Sequence, residues 1–95
     1  MENTLVLIRT RDAGVHVGIL RELDRAGRSA TLADARRLWR WRGANTLNEV
    51  ATLGVAEEYT RLSQPVPEIV ILDVCEVLPV AEAAVASLTT SRWGQ

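Results

Sequence analysis

The sequence predicts an α+β domain, a twisted antiparallel β-sheet of about five strands with two short α-helices. Three observations carry this. Short β-branched runs recur between Gly, Asp and Pro punctuation, the segment from Gly14 alternates with a period of two, and Thr46-Leu47-Asn48-Glu49 opens a helical spacing. A chain of 95 residues makes a single domain, residues 1–95, and leaves much of its surface exposed unless it self-associates.

The elements follow in order. Thr4-Leu5-Val6-Leu7-Ile8-Arg9-Thr10 is apolar on both faces at its centre, which places it inside the sheet, and Asp12-Ala13-Gly14 supplies the turn after it. Val15, Val17, Ile19 and Leu23 then share one face while His16, Gly18, Leu20 and Glu22 share the other, a long strand paired back as a hairpin. Asp24-Arg25-Ala26-Gly27-Arg28 turns the chain again. Ser29 to Trp41 resumes a strand, interrupted near Ala33-Asp34, and its end places Arg37, Trp39 and Trp41 on one face with Leu38, Arg40 and Arg42 on the other. A meander of three antiparallel strands results. Thr46 to Glu49 is a capping box, in which the Thr46 hydroxyl takes an orphan N–H and Glu49 reaches back to the Thr46 N–H. Leu47, Val50 and Ala51 keep helical spacing for about two turns, and Gly54 is the stop. Tyr59 to Ser63 forms a brief strand, Gln64-Pro65-Val66-Pro67 interrupts it, and Glu68 to Leu78 reads as a central strand buried on both faces. Beyond Pro79, Ala81, Ala84, Val85 and Leu88 repeat at the spacing of an amphipathic helix.

Composition narrows the function. The net charge of −1 opposes a strong grip on long nucleic acid, so no specific nucleic-acid partner is expected. Residues 1 to 47 carry nine Arg against five acids, a balance of +4, and residues 48 to 95 carry two Arg against seven acids, a balance of −5. That asymmetry suits a local anion pocket, or a basic face meeting the acidic face of another subunit in a homo-oligomer. No apolar run spans a membrane, and Met1-Glu2-Asn3 carries no basic region or cleavage site, so neither a membrane partner nor secretion is expected. Cys75 has no partner for an internal disulfide and reads as a buried structural thiol in a reducing cytoplasm.

Catalytic constellations are nearly absent. His16 stands mid-strand without the Cys or acid neighbours of a zinc site and reads as a satisfied or partly exposed sheet histidine. Asp73 and Glu76 fall on opposite faces of a strand and so do not form an acid–base pair within it. Glu57-Glu58 reads as a solvated loop, and Gly14-Val15-His16-Val17-Gly18 lacks the spacing and the Lys-Ser/Thr ending of a phosphate loop. No catalytic residue, metal or cofactor is expected, and the chain reads as a binder rather than an enzyme.

Binding chemistry concentrates in Ala35-Arg36-Arg37-Leu38-Trp39-Arg40-Trp41-Arg42-Gly43-Ala44-Asn45-Thr46. All eleven cationic side chains of the protein are Arg, whose planar fork suits bidentate contact with phosphate or carboxylate. Arg36, Arg37, Arg40 and Arg42 are candidates for phosphate contacts, although strand alternation keeps them from all facing one pocket. Trp39 or Trp41 is the candidate to stack a base, with Asn45 and Thr46 reading its edge or the ribose. Against this stands plain packing and a solvated charged face, with Asn45 and Thr46 doing nothing beyond capping. Arg92-Trp93 repeats the chemistry near the C-terminus, either reaching a neighbouring subunit or fraying as a tail.

Three blocks resemble a family of small phage and prophage proteins: Arg9-Thr10-Arg11-Asp12-Ala13-Gly14-Val15-His16-Val17-Gly18; Asp34 to Trp41 with Gly43-Ala44-Asn45-Thr46-Leu47; and Leu88-Thr89-Thr90-Ser91-Arg92-Trp93. The order of strands, Trp-ended strand, small-residue turn, short helix and final β-branched strand is similar to the Thoeris anti-defence proteins of bacteriophages. That resemblance implies a sponge acting in the cytoplasm of the infected bacterial host. Such a protein binds a cyclic ADP-ribose isomer or a cyclic di- or trinucleotide without cleaving it, between subunits of a dimer or hexamer, with arginine and aromatic side chains sandwiching the base. This chain has no Phe, so stacking falls to Trp39, Trp41, Trp93 or Tyr59. The alternative is a phage-encoded interaction or inhibitory protein that meets another protein through its Arg/Trp surface, since those residues also dominate interface hot spots.

Overall fold

Val6, Leu7 and Ile8 are all fully buried although they alternate across one strand, so apolar layers must cover both faces of the sheet at that point. In the computed structural model, which describes residues 1–92, they do. Leu7 joins a cluster with Val17, Leu38, Val50, Leu62 and Leu88, while Val6 and Ile8 join a second with Leu20, Leu32 and Ile71.

The elements run β1 (Leu5–Thr10), β2 (Val15–Asp24), β3 (Ser29–Arg40), α1 (Leu47–Leu53), β4 (Arg61–Leu62), β5 (Val66–Ile71), β6 (Val74–Pro79) and α2 (Glu82–Leu88). The six strands form one sheet in the order β4-β3-β2-β1-β6, with β5 also paired to β3. Every pairing is antiparallel, and β1, β2 and β3 form the expected meander. The first half of β3, Ala30 to Ala35, carries β5, and its end carries β4. Because β5 leads into β6, which pairs with β1, residues 66–79 bridge from one side of the meander to the other and curl the sheet around the Val6, Ile8 and Leu20 cluster. Val74 N–H donates to the Arg28 carbonyl and Arg11 N–H to the Asp73 carbonyl, each at 3.0 Å, which fastens the bridge at its corner. The two helices cover the outer face, over Leu7, Val17 and Leu38.

Several expectations are corrected here. Glu68 to Leu78 is not one central strand: it breaks at Leu72-Asp73, where Asp73 takes φ +55°, and both pieces are mostly exposed or half-buried. Aspartate, with its short polar side chain, is among the few non-glycine residues that adopt this left-handed conformation readily. Leu23 does not share a face with Val15 and Val17; it packs with Leu20, because the register shifts between Leu20 and Glu22. Trp41 packs on the same cluster as Leu38 rather than opposite it, since β3 ends at Arg40 after a register shift beyond Leu38. Cys75 is exposed, on β6 at the margin of the sheet.

The interruption near Ala33-Asp34 is a bulge, with Asp34 at φ +49° and pairing that passes from Val17–Arg36 to Ile19–Ala33. Gly18 lies opposite, and a Cβ there would sit 3.1 Å from the Ala33 carbonyl oxygen and from the Ala35 Cα, so the strands close tightly only over glycine. At α1 the Thr46 hydroxyl accepts from Glu49 N–H at 3.3 Å, as the box requires, but Glu49 Oε1 accepts from Asn45 N–H (3.2 Å) rather than from Thr46. Gly54 ends the helix at φ +84°. α2 buries Ala84 and Leu88 and leaves Val85 at the surface. Among the described residues no helix is long and apolar enough to cross a membrane.

Candidate functional site

The end of β3 delivers the arginine–tryptophan segment to an open edge. Leu38 is buried and anchors the strand, while Trp39 stands 62% exposed beside it. The guanidinium carbons of Arg40 and Arg61 lie 5.5 and 5.7 Å from the Trp39 ring centroid, within cation–π range. Arg40 and Arg61 are register partners in the β3–β4 pair, which is why both reach the same indole. Arg61 escaped the sequence reading because nothing in Thr60-Arg61-Leu62 announces which strand it will face.

Arg42 lies 4.7 Å over the ring of Tyr59, itself half exposed, and its backbone is held by Thr60 Oγ1 and by Ala56 N–H. The loop after β3 is thereby tied to the loop before β4, next to the Trp39 edge in sequence. Other expected residues have structural partners. Arg36 Nε donates to Ser91 Oγ (3.0 Å), whose hydroxyl donates on to the Ser63 carbonyl, and Arg92 Nη1 donates to the Ser87 carbonyl (3.1 Å) while its backbone bridges to Leu62. Trp41 packs against the core beneath the helices. Asn45 and Thr46 engage Glu49 at the start of α1. Trp93 lies outside the described residues.

Arg37 turns away from this group. Its Nη1 donates to the Ala13 carbonyl (3.4 Å) and meets His16 Nε2 at 3.1 Å across the β2–β3 pair. A guanidinium only donates, so Nε2 is the accepting nitrogen and the imidazole proton sits on Nδ1. That atom is buried and has no partner among the described residues, so His16 is neither satisfied nor partly exposed as expected: it is fully buried and half satisfied. Burial, and then the Arg37 charge, lower its pKa from 6.5 to about 4, which keeps it neutral at physiological pH. Beside the pair lies a cavity of about 310 Å³ between the β1–β2 turn and β5.

The nine expected residues that the structure describes therefore divide. Trp39 and Arg40, both exposed, with the half-buried Arg61 added, form one cationic–aromatic cluster. Arg42 and Tyr59 form a second pair, Arg37 belongs to the His16 cavity, and Arg36, Trp41, Asn45, Thr46 and Arg92 hold the structure together. Among the described residues no group of three or more His, Cys, Asp or Glu side chains is placed to hold a metal ion.

Residues 3–88 match the model of a domain of unknown function, DUF6948, and the chain belongs to that family. No curated protein and no solved structure matches it.

Proposed function

We propose that this member of the family is a non-catalytic binding protein that sequesters a cyclic nucleotide, either a cyclic ADP-ribose isomer or a cyclic di- or trinucleotide. The base lies on Trp39 and the phosphates meet Arg40 and Arg61. One observation carries this reading: a large indole exposed at a strand end with two guanidinium groups at its ring. That combination offers a stacking face and fixed anion donors in one place.

Energetics call for a second wall. Stacking one base on one aromatic side chain contributes roughly 1–3 kcal/mol, whereas micromolar affinity requires about 8 kcal/mol. Arginine contacts with phosphate in open solvent are screened and supply little of the difference. A homo-oligomer, a dimer or hexamer that closes a second copy over the Trp39 edge, supplies both the missing stacking face and the exclusion of water. The reading places the protein in the cytoplasm of an infected bacterial host, where such a signal accumulates.

A protein partner is the second reading. It is favoured by Val70 on β5 and Leu72 just beyond its end, 59% and 65% exposed, a margin of apolar surface that a nucleotide does not use.

The test is retention. Purified protein is incubated with a panel of cyclic nucleotides and filtered. One compound is expected to vanish from the filtrate and to return chemically intact when the protein is heat-denatured. Return of a cleaved product would make the protein an enzyme, and full recovery of every compound in the filtrate would favour the protein partner.

A further inference from the structure

The cavity between the β1–β2 turn and β5 has a different character from the Trp39 surface. Its lining carries both charges, Arg37 together with Asp12 and Asp73, alongside apolar side chains that include Ile69, Ile71 and Leu72. His16, neutral at physiological pH, adds no charge. The ionised lining is therefore net negative, which disfavours a phosphate and favours a ligand that brings a cation together with its anion. The Asp12 and Asp73 carboxylates have no ion pair or hydrogen bond among the described residues, so neither is already spent on the fold. Arg37 is held by one nitrogen only, to the Ala13 carbonyl and His16, which fixes the plane of the fork and leaves Nη2 and Nε able to donate. At about 310 Å³ the space is at the small end of ligand sites.

We propose that this cavity binds a free α-amino acid with a branched apolar side chain. Its carboxylate rests on the Arg37 fork, its ammonium lies between Asp12 and Asp73, and its side chain lies on the Ile69, Ile71 and Leu72 wall. A carboxylate on a planar fork gains two parallel charge-assisted bonds, and the ammonium satisfies carboxylates that otherwise face only water. The cyclic nucleotide reading requires phosphate donors and a stacking ring, neither of which this site offers beyond Arg37. The two sites are separate, and this inference does not rest on the first.

The experiment titrates the whole protein with L-leucine, L-isoleucine, L-valine and L-phenylalanine, following backbone amide shifts by NMR and the melting temperature. At least one free amino acid is expected to give saturable shifts confined to Asp12, Ala13, His16, Arg37 and residues 69–73. N-acetyl-L-leucine lacks the ammonium and L-leucine methyl ester lacks the carboxylate, and each should bind about tenfold or more weakly. Asp73→Asn keeps a residue tolerant of the left-handed backbone at that corner and should lose affinity without losing the fold, as should Asp12→Asn. Arg37→Met is expected to do the same, and should it fail to fold, the two aspartate variants carry the test. The proposal is overturned if none of the four amino acids gives saturable shifts, if the ester and the N-acetyl compound bind as well as leucine, or if a cyclic nucleotide shifts these amides instead.

Discussion

Acidification should weaken the fold by about 3 kcal/mol through His16 alone. The imidazole is 1% exposed, and burial together with the Arg37 charge takes its pKa from 6.5 in the unfolded chain to about 4 in the native one. A histidine with a depressed native pKa stays neutral in the fold while the unfolded chain takes up a proton. Above pH 6.5 both states are neutral and nothing is lost. Between 6.5 and about 4 the unfolded state alone is protonated, and stability falls by roughly 1.4 kcal/mol per pH unit. Below about 4 both states are charged and the loss stops growing. The assay is urea unfolding of the wild type and His16→Gln at half-unit steps from pH 7 to pH 4. The acidic side chains titrate in both proteins and cancel in the comparison. The wild type should lose about 3 kcal/mol more than the variant over that range, whatever the variant's stability at pH 7. Parallel curves would refute the claim that His16 is buried neutral beside Arg37.

Three further substitutions test the frame around the sites. Gly54→Ala puts a Cβ at φ +84° and 2.2 Å from Ser87 Oγ, the hydroxyl that accepts from Val55 N–H, so it should lower stability by about 1–3 kcal/mol in chemical denaturation. Thr46→Ala removes the acceptor for Glu49 N–H at the start of α1 and should cost about 0.5–2 kcal/mol by the same assay, with nucleotide retention unchanged. Trp41→Ala, which strips a half-buried indole from the core under the helices, should cost about 3 kcal/mol, visible as a fall in melting temperature.

The sequence shows the fold wherever local chemistry decides. Gly14 and the Asp24 to Arg28 turn mark the meander, the Thr46 to Glu49 box marks α1, and the Ala33-Asp34 interruption is a bulge, because each depends on residues that touch their own neighbours. What it hides is set by pairing between distant segments. The break at Asp73 carries no glycine or proline, and it becomes necessary only because β5 must reach β3 while β6 reaches β1. Leu23 changes sides through a register shift that alternation alone does not reveal. The binding segment behaves likewise. Its exposed indole is visible as a Trp in the sequence, but Arg61 joins it only through the β3–β4 register, and Arg37 leaves it because His16 is its cross-strand partner. Cys75 looks buried in an apolar run and is exposed because that run lies at the sheet's margin.

The central claim is that Trp39 is the face on which a cyclic nucleotide is held. Calorimetric titration of the wild type and Trp39→Ala, with whichever cyclic nucleotide the wild type retains, tests it most directly. An indole already 62% exposed adds little to the core, so the variant should remain folded. Its affinity should fall by about 1–3 kcal/mol for each stacked base, a loss of roughly 5- to 150-fold. Wild-type affinity in a folded Trp39→Ala protein would contradict the account and move the ligand to another surface.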